Sequence, residues 1–244
     1  MNDAALSSRK KQWAVVVIAI GFPSLVTLAY FVWLAGKPSA WQQVAFAIGK
    51  VLQFGFPVFW VFVVLGRRPK IRRPDAAGLV MGLLFGGLVA VAMFALAIFW
   101  LRPAGLLDQP IEMMRQKLSD LGINSFGKYL ALGIFYSLAH SFLEEYYWRW
   151  FVFGQLREMV SVRWAILISS LGFMAHHIIL LGVYFGWSSS MTWLFSSGVA
   201  VGGAVWAWLY HRTGTLYAPW LSHLVVDAAI FSLGYLLVGS VLAN

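Results

Sequence analysis

The sequence predicts an all-α fold: a polytopic membrane bundle of about seven transmembrane helices with a cytoplasmic N-terminus. Three observations carry this. The chain of 244 residues is 61% hydrophobic and only 11% charged, where a soluble domain is nearer half apolar and about a quarter charged. Apolar runs of about 20 residues, the length that crosses a bilayer, recur along the whole chain. The loops between them carry positive charge in alternation, which sets orientation.

The elements follow in order. Arg9, Lys10 and Lys11 precede an apolar run from Trp13 to Ala35. The charge order resembles a secretion signal, but the run is too long for one and no small-residue cleavage site follows it. It reads as a first helix that stays in the membrane. Six further segments qualify: 41–65, 76–101, 128–153, 164–185, 191–210 and 216–241. Only the connection 102–127 is long. Its Ile111, Met114, Leu118 and Leu121 recur at helical spacing, which predicts a short amphipathic surface helix. No soluble domain, low-complexity tract or internal repeat is evident.

Charge then orients the bundle. Arg9, Lys10, Lys11, the loop with Arg67, Arg68, Lys70, Arg72 and Arg73, then Arg157, Arg163 and Arg212 all fall on one side by alternation. The other side has Lys37, Arg102, Arg115 and Lys117, the last three offset by Asp108, Glu112 and Asp120. The basic side is the cytoplasmic one. The formal net charge of +9 therefore reflects short loops rather than a basic face for nucleic acid. There are no cysteines, which excludes disulfides, a thiol nucleophile and thiolate metal sites.

Ionisable residues inside three apolar segments are the candidate site: Glu144-Glu145 with Arg149, His176-His177, and His223 with Asp227. Each costs about 2.5–3.5 kcal/mol at a helix centre even on lenient scales, so such groups face each other or a wet cavity. At about 1.5 Å of rise per residue, all three clusters lie roughly 10–20 Å in from the cytoplasmic end.

In HSFLEEYYWRW, Glu145 and Arg149 share a helix face and can pair. Glu144 is rotated by about 100°, which makes it the candidate base and Glu145 a structural acid. In FMAHHIIL the adjacent histidines diverge by about 100°, so one of the two enters a site, and spacing does not choose between them. In HLVVD, His223 and Asp227 share a face, so the aspartate can fix the imidazole tautomer, or both can bind a metal ion. His140 lies one turn before Glu144 and can hydrogen-bond to it. His211 reads as interfacial. Gly198, Gly202 and Gly203 suggest close helix packing, and the thirteen tryptophans suggest interfacial belts and lipid contact. An intramembrane set of acids and histidines also suits a proton-coupled transporter or a scaffold. Matched halves with broken helices, frequent in transporters, are not evident.

Together the clusters resemble the CPBP family of intramembrane proteases, the CAAX proteases and bacteriocin-processing enzymes. The family signature is E-E-x-x-x-R, F-x-x-x-H and H-x-x-x-N or a close variant. Here it reads Glu144-Glu145-Tyr146-Tyr147-Trp148-Arg149, Phe173-Met174-Ala175-His176-His177 and His223-Leu224-Val225-Val226-Asp227. WLYHRTGTLYAPWLSH is similar to the family's link between its last two core helices. The likeness covers about 128–228. It implies 128–244 as a catalytic core and 1–127 as an N-terminal three-helix region within one integral membrane domain.

The resemblance implies an intramembrane endopeptidase of glutamic type, acting on a membrane-embedded or membrane-anchored peptide or protein. It implies that Glu144 and His177, rather than His176, activate the attacking water. His223 and Asp227 would stabilise the oxyanion, with Glu145, Arg149 and Phe173 in support. The expected setting is a bacterial cytoplasmic membrane, with the site opening toward the cytoplasmic half. Asp227 departs from the commoner asparagine and can donate a hydrogen bond only when protonated. Its presence also makes Glu144, His177, His223 and Asp227 a possible zinc set. The metal-free reading is preferred, because the matched roles need no ion.

Overall fold

The computed structural model describes residues 3–68 and 72–239, with side chains from Arg9 onward. Every element among them is helical. Lys70, one of the basic loop residues, and the end of the 216–241 segment lie outside the described residues.

Six helices among the described residues are long and apolar enough to cross a membrane: Arg9–Trp33, Ser39–Val64, Ala76–Leu101, Val162–Phe185, Ser190–Thr213 and Tyr217–Val238. They contain α1 (Asp3–Leu28), α2 (Ser39–Val58), α3 (Ala76–Leu96), α8 (Val162–Phe185), α9 (Ser190–Thr213) and α10 (Tyr217–Val238). Each falls on an expected segment. The seventh expected segment, 128–153, is helical throughout but is not one of the six. It runs from α5 (Phe126–Ile134) through α6 (Ser141–Glu145) to α7 (Gly154–Arg157), with π-helical stretches Phe135–His140 and Tyr146–Phe153 between them. Its acids, Arg149 and His140 make it less apolar than its neighbours. The bundle's outer faces expose Val17, Leu84, Leu88, Phe99 and Leu236, as expected where lipid is the solvent.

The chain divides into two compact units, residues 1–72 with 146–211 and residues 73–145 with 212–244. In the first, Tyr147 is buried and its hydroxyl donates to the Ala19 carbonyl of α1 at 2.7 Å. A Cβ on Gly172 would meet Ile20 and Trp148, so α8 approaches both closely. Arg9 donates to the Met159 carbonyl at 3.4 Å, and Arg67 pairs with Glu158. Three of the expected basic segments thus meet at one end of this unit. Gly203 packs on Phe173 and Ser170, while Gly198 faces open space. Only part of the anticipated glycine packing on α9 is therefore realised.

In the second unit Asp75 caps α3 by accepting from the Gly78 backbone at 2.9 Å, a favoured N-cap arrangement. Gly78, Gly82 and Gly86 then recur every four residues and turn toward α10. A Cβ on Gly82 would strike the Ala218 carbonyl, and one on Gly86 would lie 2.7 Å from the Ser222 carbonyl. Bare backbone lets the two helices meet, as in other small-residue membrane contacts. The surface helix α4 (Asp108–Asp120) forms as expected. Leu118 packs with Tyr129 and Val238, and Ile111 and Met114 lie against them. Leu121 falls just past the helix end and is partly exposed.

Candidate active site

In the second unit, α6 and α10 bring four of the expected residues together. The buried imidazole of His223 stands between three carboxylates. Its Nδ1 is 2.9 Å from Glu145 Oε1, and its Nε2 is 3.8 Å from Glu144 Oε2 and 3.6 Å from Asp227 Oδ1. A carboxylate only accepts, so Nδ1 carries the proton and donates to Glu145. Nε2 is then the nitrogen turned toward Glu144 and Asp227.

This differs in one respect from the spacing argument, which gave the tautomer to Asp227 one turn along α10. The shorter contact comes from Glu145, on another helix. The two adjacent glutamates reach different atoms of one ring. His140 adds a fifth member, its Nε2 3.9 Å from Glu144 Oε1 and its ring on Tyr136. At that separation it is an electrostatic neighbour rather than a hydrogen-bond donor.

The local backbone has an uncommon form. α6 is five residues long and lies between π-helical stretches. Such stretches are rare and recur at functional sites. They also shift the angular phase of the residues that follow, so the 100° rule holds only within α6.

In the first unit, Phe173 is the hub. Its buried ring lies 4.7 Å from His177, 5.4 Å from His176, 5.6 Å from Trp148 and 6.0 Å from Trp206. The fully buried Arg149 holds its guanidinium 4.8 Å above that ring and 5.3 Å from Trp206, a desolvated cation–π contact. Trp148 and Trp206 are thus interior, unlike the belt tryptophans expected from composition.

The two histidines of α8 occupy different surroundings. His176 is buried and stacks on Trp148 with centroids 5.7 Å apart and planes 7° from parallel. His177 is half-buried and its Nδ1 is 2.9 Å from the Phe173 carbonyl. A carbonyl accepts, so Nδ1–H donates and the lone pair lies on Nε2. His211 is exposed at the end of α9.

The zinc alternative can be tested against these donors. Among the described residues, no three histidine or acidic side chains stand in an arrangement that would hold a metal ion. Nδ1 of His223 is engaged with Glu145.

Sequence reasoning overlooked one ionisable residue, Lys50, near the middle of the Ser39–Val64 span. An isolated lysine in an apolar run was the available signal, since intramembrane charges are rare.

Comparison with known proteins agrees with the motifs. Residues 126–229 match the family model described as type II CAAX prenyl endopeptidase Rce1-like. No curated protein and no solved structure matches the chain. The matched stretch contains all three motifs, so over these residues this membrane protein is similar to the Rce1-like CAAX endopeptidases.

Proposed function

We propose that this chain is an intramembrane endopeptidase that hydrolyses a peptide bond in a membrane-associated protein or peptide with water activated by Glu144 and His177. The observation that carries the reading is His223, held through Nδ1 by Glu145 with Nε2 toward Glu144 and Asp227, inside the matched stretch. Glu144 takes a proton from water as its oxygen attacks the carbonyl carbon. His177, its Nδ1–H anchored on Phe173, offers Nε2 to the water's other hydrogen and fixes its direction of attack. The oxyanion accepts from Nε2–H of His223, whose positive charge Glu145 balances and Asp227 orients. Glu144 then returns its proton to the departing nitrogen as the C–N bond breaks, giving a carboxylic acid and an amine. Donors aimed at a developing oxyanion contribute about 10²–10³ in rate each.

The family description supports a lipid-modified C-terminal peptide as one substrate class, since CAAX cysteines are prenylation sites. The basic cluster of Arg9 and Arg67 beside Met159 and Glu158 supports a cytoplasmic placement of that end. No step passes through a metal ion. We expect activity to survive a chelator. Stoichiometric zinc in purified protein, with activity lost to chelator and restored by zinc, would reverse that part of the reading.

The decisive experiment compares wild type with Glu144→Gln and His177→Ala in membranes containing a tagged substrate. General-base loss costs about 10²–10⁴ in rate. We expect uncleaved substrate to accumulate with either variant while the protein still inserts. Near-normal cleavage by Glu144→Gln would remove Glu144 from the mechanism.

A further inference from the structure

His140 belongs to none of the three motifs, yet it faces the residue on which the proposed chemistry turns. Its Nε2 lies 3.9 Å from Glu144 Oε1, while His223 Nε2 lies 3.8 Å from Glu144 Oε2. Each oxygen of this carboxylate thus has an imidazole beside it, one from a turn earlier in the chain and one from α10. All three residues belong to the second unit. The Glu144 side chain is 5% exposed, and a carboxylate so buried is costly unless donors reach it.

The His140 ring is braced. It lies 4.8 Å from the Tyr136 ring, and Tyr136 lies 5.4 Å from Phe231 with planes 30° apart. Phe231 is one turn beyond Asp227 on α10. Tyr129 extends the row, edge-on to Phe231 at 5.9 Å, with its hydroxyl donating to the Phe231 carbonyl at 2.9 Å. The row ties the imidazole to the helix that carries His223 and Asp227. A carboxylate only accepts, so the tautomer that suits this position has its proton on Nε2. A closure of about 1 Å brings that N–H into hydrogen-bond range. Catalytic hydrogen bonds are often long until substrate is bound, and then tighten.

We propose that His140 is a positioning residue: with substrate bound, its Nε2–H donates to Glu144 Oε1 and leaves Oε2 as the oxygen that handles the proton. This rests on the endopeptidase reading above. Oε2 takes one hydrogen from water as the water oxygen bonds to the carbonyl carbon. It returns that proton to the departing nitrogen as the C–N bond breaks. His140 keeps its own proton throughout. The last torsion of a glutamate is broad and two-fold, so without His140 the plane of the carboxylate is unset. With it, the basic oxygen stays beside His223, the oxyanion donor. Misplacing a reacting group by about 1 Å costs about 10²-fold in rate.

The test uses the full chain in phosphatidylcholine nanodiscs with an S-farnesylated peptide ending in cysteine and three apolar residues. His140→Phe keeps a ring on Tyr136 and removes the donor. His140→Gln loses the ring and keeps an N–H at the end of the side chain. We expect kcat to fall about 10–10²-fold in His140→Phe, with KM and the unfolding midpoint near wild type, and His140→Gln to retain the larger rate. A packing role predicts the reverse order, so a kcat in His140→Phe equal to or above that in His140→Gln overturns the proposal. In the Glu144→Gln background His140→Phe should cost nothing further, because the two residues act as a unit. A second readout needs no cleavage. The peptide is made with ketomethylene links in place of its C-terminal amides, and the infrared carboxylate bands of Glu144 are identified by their loss in Glu144→Gln. With this peptide bound, the bands should coincide in wild type and His140→Gln and move in His140→Phe. Bands unmoved in His140→Phe overturn the proposal even where wild type cleaves. Bands that move, with no cleavage by wild type, keep this contact and sink the peptidase reading.

Discussion

His223 and Glu145 are 78 positions apart, and their side chains meet at 2.9 Å through Nδ1 and Oε1. Both are buried, so this bond holds the ring with Nε2 toward Glu144 and Asp227. Glu145→Leu removes the acceptor and leaves a buried N–H unmatched. We expect a loss of about 1.5–3 kcal/mol in stability, the range for bonds to charged groups. Glu145→Gln keeps an acceptor oxygen but removes the charge and permits the wrong tautomer. It should melt near wild type yet lose at least about tenfold in rate, since mis-tautomerised histidines are costly. Thermal unfolding in detergent beside cleavage rates separates the two. Equal rates for Glu145→Gln and wild type would make Glu145 a packing residue.

Much of this was legible in the chain because lipid is a severe solvent. It demands long apolar runs, which mark the helices, and it penalises every charge, which marks Glu144, Glu145, Arg149, His177, His223 and Asp227. Periodicity speaks only for neighbours one turn apart. It could suggest Asp227 for His223, but not Glu145 from another helix. It also assumes an even helical phase, and the π-helical stretches on either side of α6 leave no clear mark in the sequence. Glycine spacing shows where close approach is possible, not whether a neighbour is there. Hence Gly198 stands open while Gly82 and Gly86 press on α10.

Phe173 packs against His176, His177, Trp148, Trp206 and Arg149 at once. Its truncation should act through all of them. Phe173→Ala is expected to cost about 3–5 kcal/mol, as for other buried aromatics, and to lower cleavage more than proportionately because the α8 backbone anchors His177. Phe173→Leu, which refills most of the volume, should recover more than half of the stability. Unfolding midpoints of the two variants check this. A wild-type midpoint for Phe173→Ala would refute the hub.

The α3–α10 contact gives a prediction with an internal control. Ala at position 86 would place a methyl 2.7 Å from the Ser222 carbonyl, next to His223, whereas Gly198 has nothing within 4 Å. Overpacking of this kind costs about 1–3 kcal/mol. Gly198→Ala should be neutral or stabilising by up to about 1 kcal/mol, because alanine is the better helix former. We expect Gly86→Ala to lower both midpoint and rate, as α10 must shift with its histidine. The same effect from both substitutions would mean that the contact of Gly86 with Ser222 is not the source of the cost.

Asp227 is the residue where this chain departs from the commoner family pattern, and its geometry sets its test. Oδ1 lies 3.6 Å from His223 Nε2, beyond a good hydrogen bond but close enough to act on a charge. If Asp227 serves by orienting His223 and facing the oxyanion, an amide of the same shape can replace it and can itself donate. Asp227→Asn should then keep cleavage within about tenfold of wild type. Asp227→Leu removes both functions and should lose about 10²–10³ in kcat, the cost of deleting one oxyanion contact. The pair is read from kcat at saturating substrate, with the unfolding midpoint confirming that each variant folds. Loss of activity in Asp227→Asn equal to that in Asp227→Leu would show that the negative charge itself is required. His223 would then be the only oxyanion donor of the pair, and Asp227 its counter-ion.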